Sequence, residues 1–408
     1  MVQSLQRLRC LILRVNVSKF AFLHLLTMGL FITGLTACGN ASETTFDTQG
    51  ANLTQFDWQL PEDMPLPLEP LDNPMTQAKF ELGRHLFYDQ SLSGNGTQAC
   101  ADCHQQSLGF SDGKTLPEGS TGELLSRNAQ PLLNAAYNAN QTWANPALTS
   151  LEQQALIPLF GEFPVEHGIN DSNREVVLDR LRVKPHYDKL FTDAFPEQGD
   201  PIDYENIVFA LASFVRGMVS FNTPFDQFER GNASALSESE KRGRALFFSE
   251  DLECFHCHSG YQFSDSTLDR TMSFVERPFH NTGLFNIGGA GDYPENNQGI
   301  LEITGDPSDM GKFRTPTLRN IELTAPYMHD GSMTTLEEVL DFYAAGGRNI
   351  TSGAHAGDGR LSPFKDGFIS GFDMSEADKD DLIAFLHSLT DERFISDPRF
   401  SDPLSATK

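Results

Sequence analysis

Several stretches of the chain carry apolar side chains at every third or fourth position, which is the spacing of one buried face of an α-helix. Three of these stretches are long enough to predict helices. Their apolar positions are Ile207, Leu211, Phe214 and Met218; Leu336, Val339, Leu340 and Tyr343; and, after Ser375 as a cap, Leu382, Phe385, Leu386 and Leu389. Runs that alternate apolar and polar residues are scarce, so the pattern predicts a mainly α fold.

Capping signals mark the ends of two predicted helices. Ser237 with Glu240, and Thr335 with Glu338, have the Ser/Thr-x-x-Glu spacing of a capping box, in which each side chain accepts a hydrogen bond from the other residue's backbone N–H. Gly346 predicts the end of the second helix, since glycine readily adopts the left-handed conformation that closes helices. The stretch 266–320 is rich in Gly, Pro and Asn, and it predicts a long connecting loop.

Two parts of the chain repeat the same order of short motifs. The motifs are Gly83-Arg84, Leu86-Phe87-Tyr88, Cys100-Ala101-Asp102-Cys103-His104 and Phe110-Ser111-Asp112 in the first part, and Gly243-Arg244, Leu246-Phe247-Phe248, Cys254-Phe255-His256-Cys257-His258 and Phe263-Ser264-Asp265 in the second. Such self-similarity predicts two related domains. We assign them to residues 75–231 and 232–395, followed by a tail at 396–408.

Each repeat contains one C-x-x-C-H motif. In this motif the two cysteines add to the vinyl groups of a haem, and the following histidine ligates its iron. One helical turn separates the cysteines, so both sulfurs reach the same porphyrin edge. A zinc site made by both cysteine pairs, or disulfides, are the alternatives, but neither explains the histidine after each pair. The motif therefore predicts two covalently bound haem c groups, with His104 and His258 as iron ligands.

The N-terminus has the pattern of an export signal. Residues 1–19 are basic and an apolar run follows, ending at residue 37. Leu35-Thr36-Ala37-Cys38-Gly39 resembles the lipobox of bacterial lipoproteins, which implies cleavage after residue 37 and lipidation of the Cys38 sulfur. An ordinary signal peptide and an uncleaved anchor helix are the alternatives. Acyl chains would hold the protein on a membrane, and the polar, Pro-rich residues 38–74 predict a tether.

The chain is strongly acidic. Its 56 acidic and 30 basic residues give a formal charge of −26, and removal of residues 1–37 would leave 26 basic residues and a charge of −30. We therefore expect no binding of nucleic acid, which needs clustered Lys and Arg, and attraction to a basic partner. Of the six cysteines, four belong to the haem motifs, Cys38 to the lipobox and Cys10 to the signal, so none is left for a disulfide.

Further motifs resemble one family over residues 75–390. They are Arg127-Asn128, Trp143, Leu151-Glu152-Gln153-Gln154, Pro164-Val165-Glu166, Thr315-Pro316-Thr317-Leu318-Arg319-Asn320 and Leu323-Thr324-Ala325-Pro326-Tyr327-Met328-His329-Asp330-Gly331. With these motifs the chain resembles the bacterial di-haem cytochrome c peroxidases and, within that superfamily, MauG. The resemblance implies a mainly α fold of two cytochrome c-like domains, each with one covalently bound haem, joined by long loops.

The resemblance implies an open iron site at the first haem. Family peroxidases carry a distal histidine shortly after the proximal one, where this chain has Ser120. The family's distal Gln, Pro and Glu correspond to Gln154, Pro158 and Glu166, and a carboxylate there moves a proton between the peroxide oxygens as O–O cleavage proceeds. The interval from Gln154 to Glu166 is slightly longer than is usual in the family, which leaves Glu162 as the alternative.

At the second haem, the resemblance places Tyr343 as axial ligand. Family peroxidases have a methionine at this position, whereas MauG has a tyrosine. Met328 and Met333 are the alternative ligands. The difference matters because a phenolate stabilises ferric iron and a thioether favours ferrous iron; axial ligands tune haem potentials over about 0.8 V.

Between the haems, Trp143 matches a tryptophan that relays electrons in the family. The family also holds a calcium ion there, through one Asn side chain and two backbone carbonyls. The corresponding residues are Asn128, Thr324 and Pro326. Oxygen ligands of this kind suit calcium.

These features lead to three functional hypotheses. The first is a periplasmic, lipid-anchored peroxidase that reduces hydrogen peroxide at the His104 haem, with electrons from the His258 haem and from a small redox protein, a cytochrome c or a copper protein. The second is a MauG-like enzyme that uses peroxide equivalents to oxidise a protein or another substrate. The third is an electron carrier without catalysis, against which an open iron site argues.

Overall fold

The computed structural model describes residues 55–405, and within this range the fold is mainly helical, as predicted. Its helices are α1 (Gln77–Phe87), α2 (Cys100–Cys103), α3 (Leu151–Phe160), α4 (Arg174–Arg182), α5 (Pro185–Ala194), α6 (Tyr204–Arg216), α7 (Pro224–Glu229), α8 (Glu238–Phe247), α9 (Cys254–Cys257), α10 (Leu301–Thr304), α11 (Leu336–Ala344) and α12 (Glu376–His387). Two short strands, β1 (Asn349–Ile350) and β2 (Gly357–Asp358), pair antiparallel. Among residues 55–405, none of the helices combines the length and the apolar character that crossing a bilayer requires.

A close helix crossing occurs once in each repeat. α1 crosses α6 at Gly83, where a Cβ atom would overlap the carbonyl oxygen of Ala210. α8 crosses α12 at Gly243, where a Cβ atom would overlap the carbonyl oxygen of Asp381. Glycine is required at both positions because it lets the two backbones touch. The repeat in the sequence is therefore also a repeat in the structure.

The predicted caps are confirmed. Ser237 and Thr335 are the N-caps of α8 and α11, and each forms the capping box with the residue three positions on. Beyond α11, Gly346 has a φ of +73°, and its N–H donates to the carbonyl of Tyr343 at 2.9 Å. The caps fix both the start and the rotation of α11, and so they decide which side chains face inward.

Two hydrophobic cores lie in the described part of the chain. The first packs α1, α4, α5 and α6, and the second packs α8, α11 and α12. Two residues from beyond the first predicted domain join the first core. Phe400, from the predicted tail, packs beside α1 and α6, and Phe394, from the second predicted domain, packs against Phe110 and Phe400. The predicted tail, residues 396–408, is therefore anchored to the first core by the buried Phe400. A domain boundary at residue 231 stays a prediction, since the described residues, 55–405, form one compact unit.

Residues 55–74 do not form the free tether that the sequence predicted. Within its described part, residues 55–74, Phe56 is buried and Trp58 packs against it edge to face. The carbonyl of Pro65 accepts a hydrogen bond from Tyr137 at 2.8 Å. Apolar and aromatic residues among the prolines explain the difference, because they bury surface that a free tether would expose. The predicted signal peptide, Cys38 and the rest of the tether lie outside the described residues.

The stretch 266–320 is mostly irregular, as predicted, and contains α10 and a short 3₁₀ turn, Pro307–Asp309. Its last part is deeply buried, however. Arg314, Arg319 and Asn320 are each at most 4% exposed. This part of the loop lies between the two repeats and contributes to the wall of a cavity described below.

Candidate functional site

The two C-x-x-C-H motifs have the same local geometry. α2 and α9 hold the cysteines, and the histidine follows directly as the C-cap. The Nδ1 atom of His104 lies 2.8 Å from the carbonyl oxygen of Phe110, and that of His258 lies 2.9 Å from the carbonyl oxygen of Phe263. A carbonyl only accepts, so Nδ1 carries the proton and Nε2 keeps the lone pair that binds iron. Burial lowers the pKa of both imidazoles, which keeps them neutral.

Each motif borders its own cavity. The first cavity, of about 290 Å³, is lined by Cys100, Cys103 and His104. The second, of about 200 Å³, is lined by the cysteines of α9 and by His258. All four cysteines are free of disulfides, and the two pairs face different cavities, so a single zinc site with both pairs has no place here. The residues present fit one haem in each cavity.

The wall of the first cavity brings together the predicted distal residues. α3 places Gln154 and Pro158 there, and the loop that follows α3 adds Glu166. Burial raises the pKa of Glu166 to about 7, so this carboxyl group can take up or release a proton near neutral pH. Glu162, the alternative, is exposed and does not line the cavity. Of the two carboxylates, Glu166 has the geometry of a proton acceptor.

Ser120 lies beside this loop without lining the cavity. Its backbone N–H donates to the carbonyl of Glu166 at 2.7 Å, which holds the loop after α3 in place. The nearby His85 has its Nδ1 atom 2.9 Å from the carbonyl of Glu81 and also stays outside. Among the described residues, the histidines that line the first cavity are therefore His104 and one that the sequence did not suggest.

That residue is His167, which follows Glu166 directly. It is 4% exposed, and its Nε2 atom lies 3.8 Å from the Cys100 sulfur. Its Nδ1 atom has no hydrogen-bond partner among the described residues, and burial lowers the pKa of His167 to about 4. No motif or spacing marks this histidine, and only the fold brings it to the cavity.

The second cavity contains both main candidates for axial ligand. α11 turns Leu336, Val339, Leu340 and Tyr343 toward it, the face that the spacing predicted. Met328 also lines the cavity, whereas Met333 is buried outside it. The Tyr343 hydroxyl forms no hydrogen bond with any described residue. Burial, and to a lesser degree the thiols of α9, raise the pKa of Tyr343 well above its usual range.

Trp143 borders both cavities. Its indole Nε1–H donates to the carbonyl of Asn128 at 2.9 Å, and its own carbonyl accepts from the backbone N–H of Arg314 at 2.8 Å. These bonds hold the indole between the two haem motifs. The relay role of Trp143 stays a prediction, with which this position agrees.

Of the three residues predicted for calcium, Asn128 and Thr324 line the second cavity together with Trp143. The backbone N–H of Asn128 donates to the carbonyl of His329 at 2.9 Å, which ties Asn128 to the loop that contains Thr324 and Pro326. The Oδ1 atom of Asn128 and the carbonyl oxygens of Thr324 and Pro326 accept no hydrogen bond from any described residue. Oxygens left without donors are the ligands that a calcium ion would use.

Charged groups that the sequence did not suggest lie around the second cavity. His280 lines it and bridges two carboxylates, with Nε2 2.7 Å from Asp265 and Nδ1 2.6 Å from Asp366. Burial lowers the pKa of His280, but the two carboxylates outweigh this and raise it to about 8. Arg314 also lines the cavity and is fully buried. These residues are far apart in the chain, so spacing could not reveal them.

Comparisons with known proteins agree with this geometry. The family model of the di-haem cytochrome c peroxidases matches residues 77–234. The chain is 34% identical over 393 residues to the cytochrome-c peroxidase IdrP1 of Pseudomonas sp. (strain SCT), covering 92% of this chain and 94% of the relative. It is 34% identical over 362 residues to the methylamine utilization protein MauG of Methylorubrum extorquens, covering 88% and 91%.

Solved structures agree as well. A MauG-like protein associated with microbial copper homeostasis is 50% identical, with a TM-score of 0.84 over 85% of this chain and 99% of that chain. The di-haem peroxidase BthA from Burkholderia thailandensis shares the fold, with a TM-score of 0.58 and 20% identity over 81% of this chain and 90% of that one. The chain therefore belongs to the di-haem cytochrome c peroxidase family of oxidoreductases, whose members carry two c-type haems.

Proposed function

We propose that the protein reduces hydrogen peroxide in the first cavity with electrons that pass from the second. Cys100, Cys103 and His104 would hold one haem, and the corresponding residues of α9 the other. When bound, haem supplies an iron atom that binds peroxide and exchanges electrons. The observation that carries the proposal is the position of the partly buried Glu166 in the wall of the first cavity, since a carboxyl group with a pKa of about 7 suits proton transfer at neutral pH.

The chain's own residues would do the remaining work. Glu166 takes a proton from the proximal oxygen of hydrogen peroxide and returns it to the distal one, which leaves as water. Gln154 and Pro158 shape the cavity around the two oxygens. Trp143, which borders both cavities, lies on the path that electrons take between them. A small redox protein would supply the electrons, and the acidic surface favours a basic one.

One measurement tests this proposal. We expect the electron paramagnetic resonance spectrum of the isolated ferric protein to contain one high-spin haem that reacts with stoichiometric peroxide. Two low-spin haems that neither bind cyanide nor react with peroxide, even after one-electron reduction, would contradict it. That result would instead support a non-catalytic electron carrier.

A second candidate is a MauG-like enzyme that oxidises a protein substrate with peroxide equivalents. Two observations favour it: the Tyr343 hydroxyl lies in the second cavity without a hydrogen-bond partner, and a MauG-like protein shares half of its residues with this chain. That relative is associated with copper homeostasis, which supports a substrate from the same process for this chain. Turnover with peroxide and reduced cytochrome c separates the candidates. Fast turnover supports the peroxidase, and single-turnover chemistry with sluggish steady state supports the MauG-like enzyme.

We also propose that the protein is exported and lipid-anchored on the periplasmic side of a bacterial membrane. The support is the lipobox resemblance around Cys38. A Cys38→Ser variant should leave the membrane fraction and stay fully active. Retention on the membrane would contradict the anchor.

We also propose that the protein binds one calcium ion through the Asn128 side chain and the carbonyls of Thr324 and Pro326. The support is that these oxygens accept no other bond among the described residues. Elemental analysis of the purified protein should find one calcium per chain, and an Asn128→Ala variant should retain less.

A further inference from the structure

Arg314 is a buried cation for which the described part of the chain supplies no contacting carboxylate. Three arginines are buried among the described residues, and two of them are paired. Arg319 forms two hydrogen bonds with Asp226, at 2.9 and 3.0 Å, and Arg216 lies 2.7 Å from Glu152. Arg314 has no carboxylate of a described residue within 4 Å. Buried charges are normally paired, because removing an ion from water is costly, so this exception requires an explanation.

The hydrogen bonds of Arg314 do not supply a negative charge. The guanidinium donates to the carbonyls of Thr142 and Thr315, at 3.3 and 3.1 Å, and to the Gln130 side chain at 2.6 Å. All three acceptors are neutral. A guanidinium has five N–H donors, so two remain unused.

Asp265 is the acidic group whose charge acts on Arg314, but it forms no ion pair with it. Its Oδ2 atom lies 2.7 Å from His280, and its Oδ1 atom has no hydrogen-bond partner among the described residues. Burial lowers the pKa of Arg314 to about 10, and Asp265 only partly opposes this. Among the described residues, no negatively charged group thus contacts the guanidinium directly.

Arg314 lines the second cavity, beside the motif that holds the second haem. Its bonds to Thr142 and Gln130, together with its backbone bond to Trp143, attach it to the wall shared with the first cavity. A carboxylate bound by Arg314 would therefore lie in the second cavity and close to the Trp143 segment.

We propose that Arg314 binds a carboxylate of the haem in the second cavity, one of its two propionates. The two unused N–H donors match the two oxygens of a carboxylate. The bond would position that haem edge against the Trp143 segment and neutralise the buried cation. Arg314 thus belongs to the machinery of electron transfer between the haems, whichever substrate the enzyme uses.

Redox potentiometry of the holoprotein tests the proposal. An Arg314→Gln variant removes a positive charge beside one haem, so ferric iron is stabilised and the reduction potential of that haem should fall. The potential of the other haem should change less. Arg314→Lys keeps the charge but loses the planar fork, and we expect a smaller fall. Lys312→Gln is the matched control, since Lys312 is partly exposed and paired with Asp309, and it should leave both potentials unchanged.

Equal potentials in Arg314→Gln and the wild-type protein would overturn the proposal. If the variants do not take up haem, a crystal structure of the wild-type holoprotein decides the question. We expect a propionate oxygen within hydrogen-bond distance of the Arg314 guanidinium, about 2.7–3.2 Å. A propionate turned away from Arg314, with another anion or water at the guanidinium, would also overturn it.

Discussion

At the scale of single residues, the proton transfer proposed for the first cavity depends on one carboxyl group. Glu166 and Glu162 lie on the same loop, four positions apart, yet only Glu166 faces the cavity. Burial penalises the charged form of Glu166 and raises its pKa to about 7, whereas Glu162 is exposed to water. The path of this loop therefore places one of two identical side chains in the cavity wall and the other in water.

This contrast leads to the first prediction. Glu166→Gln should slow the reaction with peroxide by about 10²–10⁴-fold, because the amide cannot accept a proton. In the wild-type protein the rate should rise with pH and level off above about 7, as the carboxyl group loses its proton. Stopped-flow absorbance measures both effects. Glu162→Gln is the control and should react at the wild-type rate; a larger loss in this control would reassign the role.

The second prediction concerns the axial ligand. Tyr343→Phe should alter the low-spin signal in the electron paramagnetic resonance spectrum, because a phenyl ring cannot bind iron. Tyr327→Phe removes a hydroxyl from a side chain in the wall of the same cavity, and the signal should not change. Met328→Leu tests the alternative. If Met328→Leu changes the signal and Tyr343→Phe does not, the ligand is the methionine.

At the scale of elements, two helix pairs cross at glycine. α1 with α6 and α8 with α12 leave no room for a side chain at the crossing, at Gly83 and Gly243. The crossing fixes how the helix before each C-x-x-C-H motif packs on a later helix of the same repeat. Close contact of this kind excludes water and sets the position of the adjacent cavity.

We therefore predict that Gly83→Ala destabilises the protein. The added methyl group would meet the Ala210 carbonyl, and overpacking of this kind costs about 1–3 kcal/mol. Urea denaturation followed by circular dichroism measures the loss. Gly199→Ala is the control, because nothing lies within 4 Å of a Cβ atom there, and its free energy of unfolding should stay the same or rise slightly. Equal stabilities of the two variants would contradict the role of the crossing.

At the scale of the whole molecule, the excess of acidic residues governs encounters with partners. A formal charge of −26 attracts basic proteins over a distance set by the ionic strength. The Debye length is about 30 Å at 0.01 M salt and about 3 Å at 1 M. Salt should therefore act on the approach of the donor rather than on the chemistry in the cavities.

The fourth prediction follows from this charge. The second-order rate of reduction by a basic cytochrome should fall by about tenfold or more as salt rises from 0.01 M to 1 M, on the order of the effects known for steered association. Stopped-flow mixing at several salt concentrations measures it. An acidic donor of similar potential should show the opposite trend. A rate that salt does not change would mean that the acidic residues lie away from the docking surface.

Much of the fold could be predicted, because its signals are local. The capping box of Thr335 and the spacing of four apolar residues predicted α11 and the face that carries Tyr343. Capping and helical periodicity depend on neighbours within one or two turns, so the chain reveals them directly. The packing of residues 55–74 and of Phe400 could not be predicted in this way, because it depends on partners far along the chain.

Residues of the candidate site were also missed where they depend on contacts between distant parts of the chain. Gln154 and Glu166 were found through a family resemblance, and the structure places both in one cavity wall. His167 and Arg314 were missed, because neither belongs to a motif. The Arg314 guanidinium meets Gln130 across 184 positions of the chain. Contacts of that range become visible only when the fold brings their partners together.

The sequence by itself determined that the chain has two C-x-x-C-H motifs, at which we expect the two haems to attach, and that the chain is acidic, since each motif spans one helical turn and charge is a sum over residues. The tertiary structure alone decided which carboxyl group faces the first cavity, that Trp143 borders both cavities, and that no carboxylate of residues 55–405 pairs with Arg314. The physical reason is the same in each case. Burial and proximity are properties of segments that meet in space, and pKa values, electron paths and ion pairs depend on them.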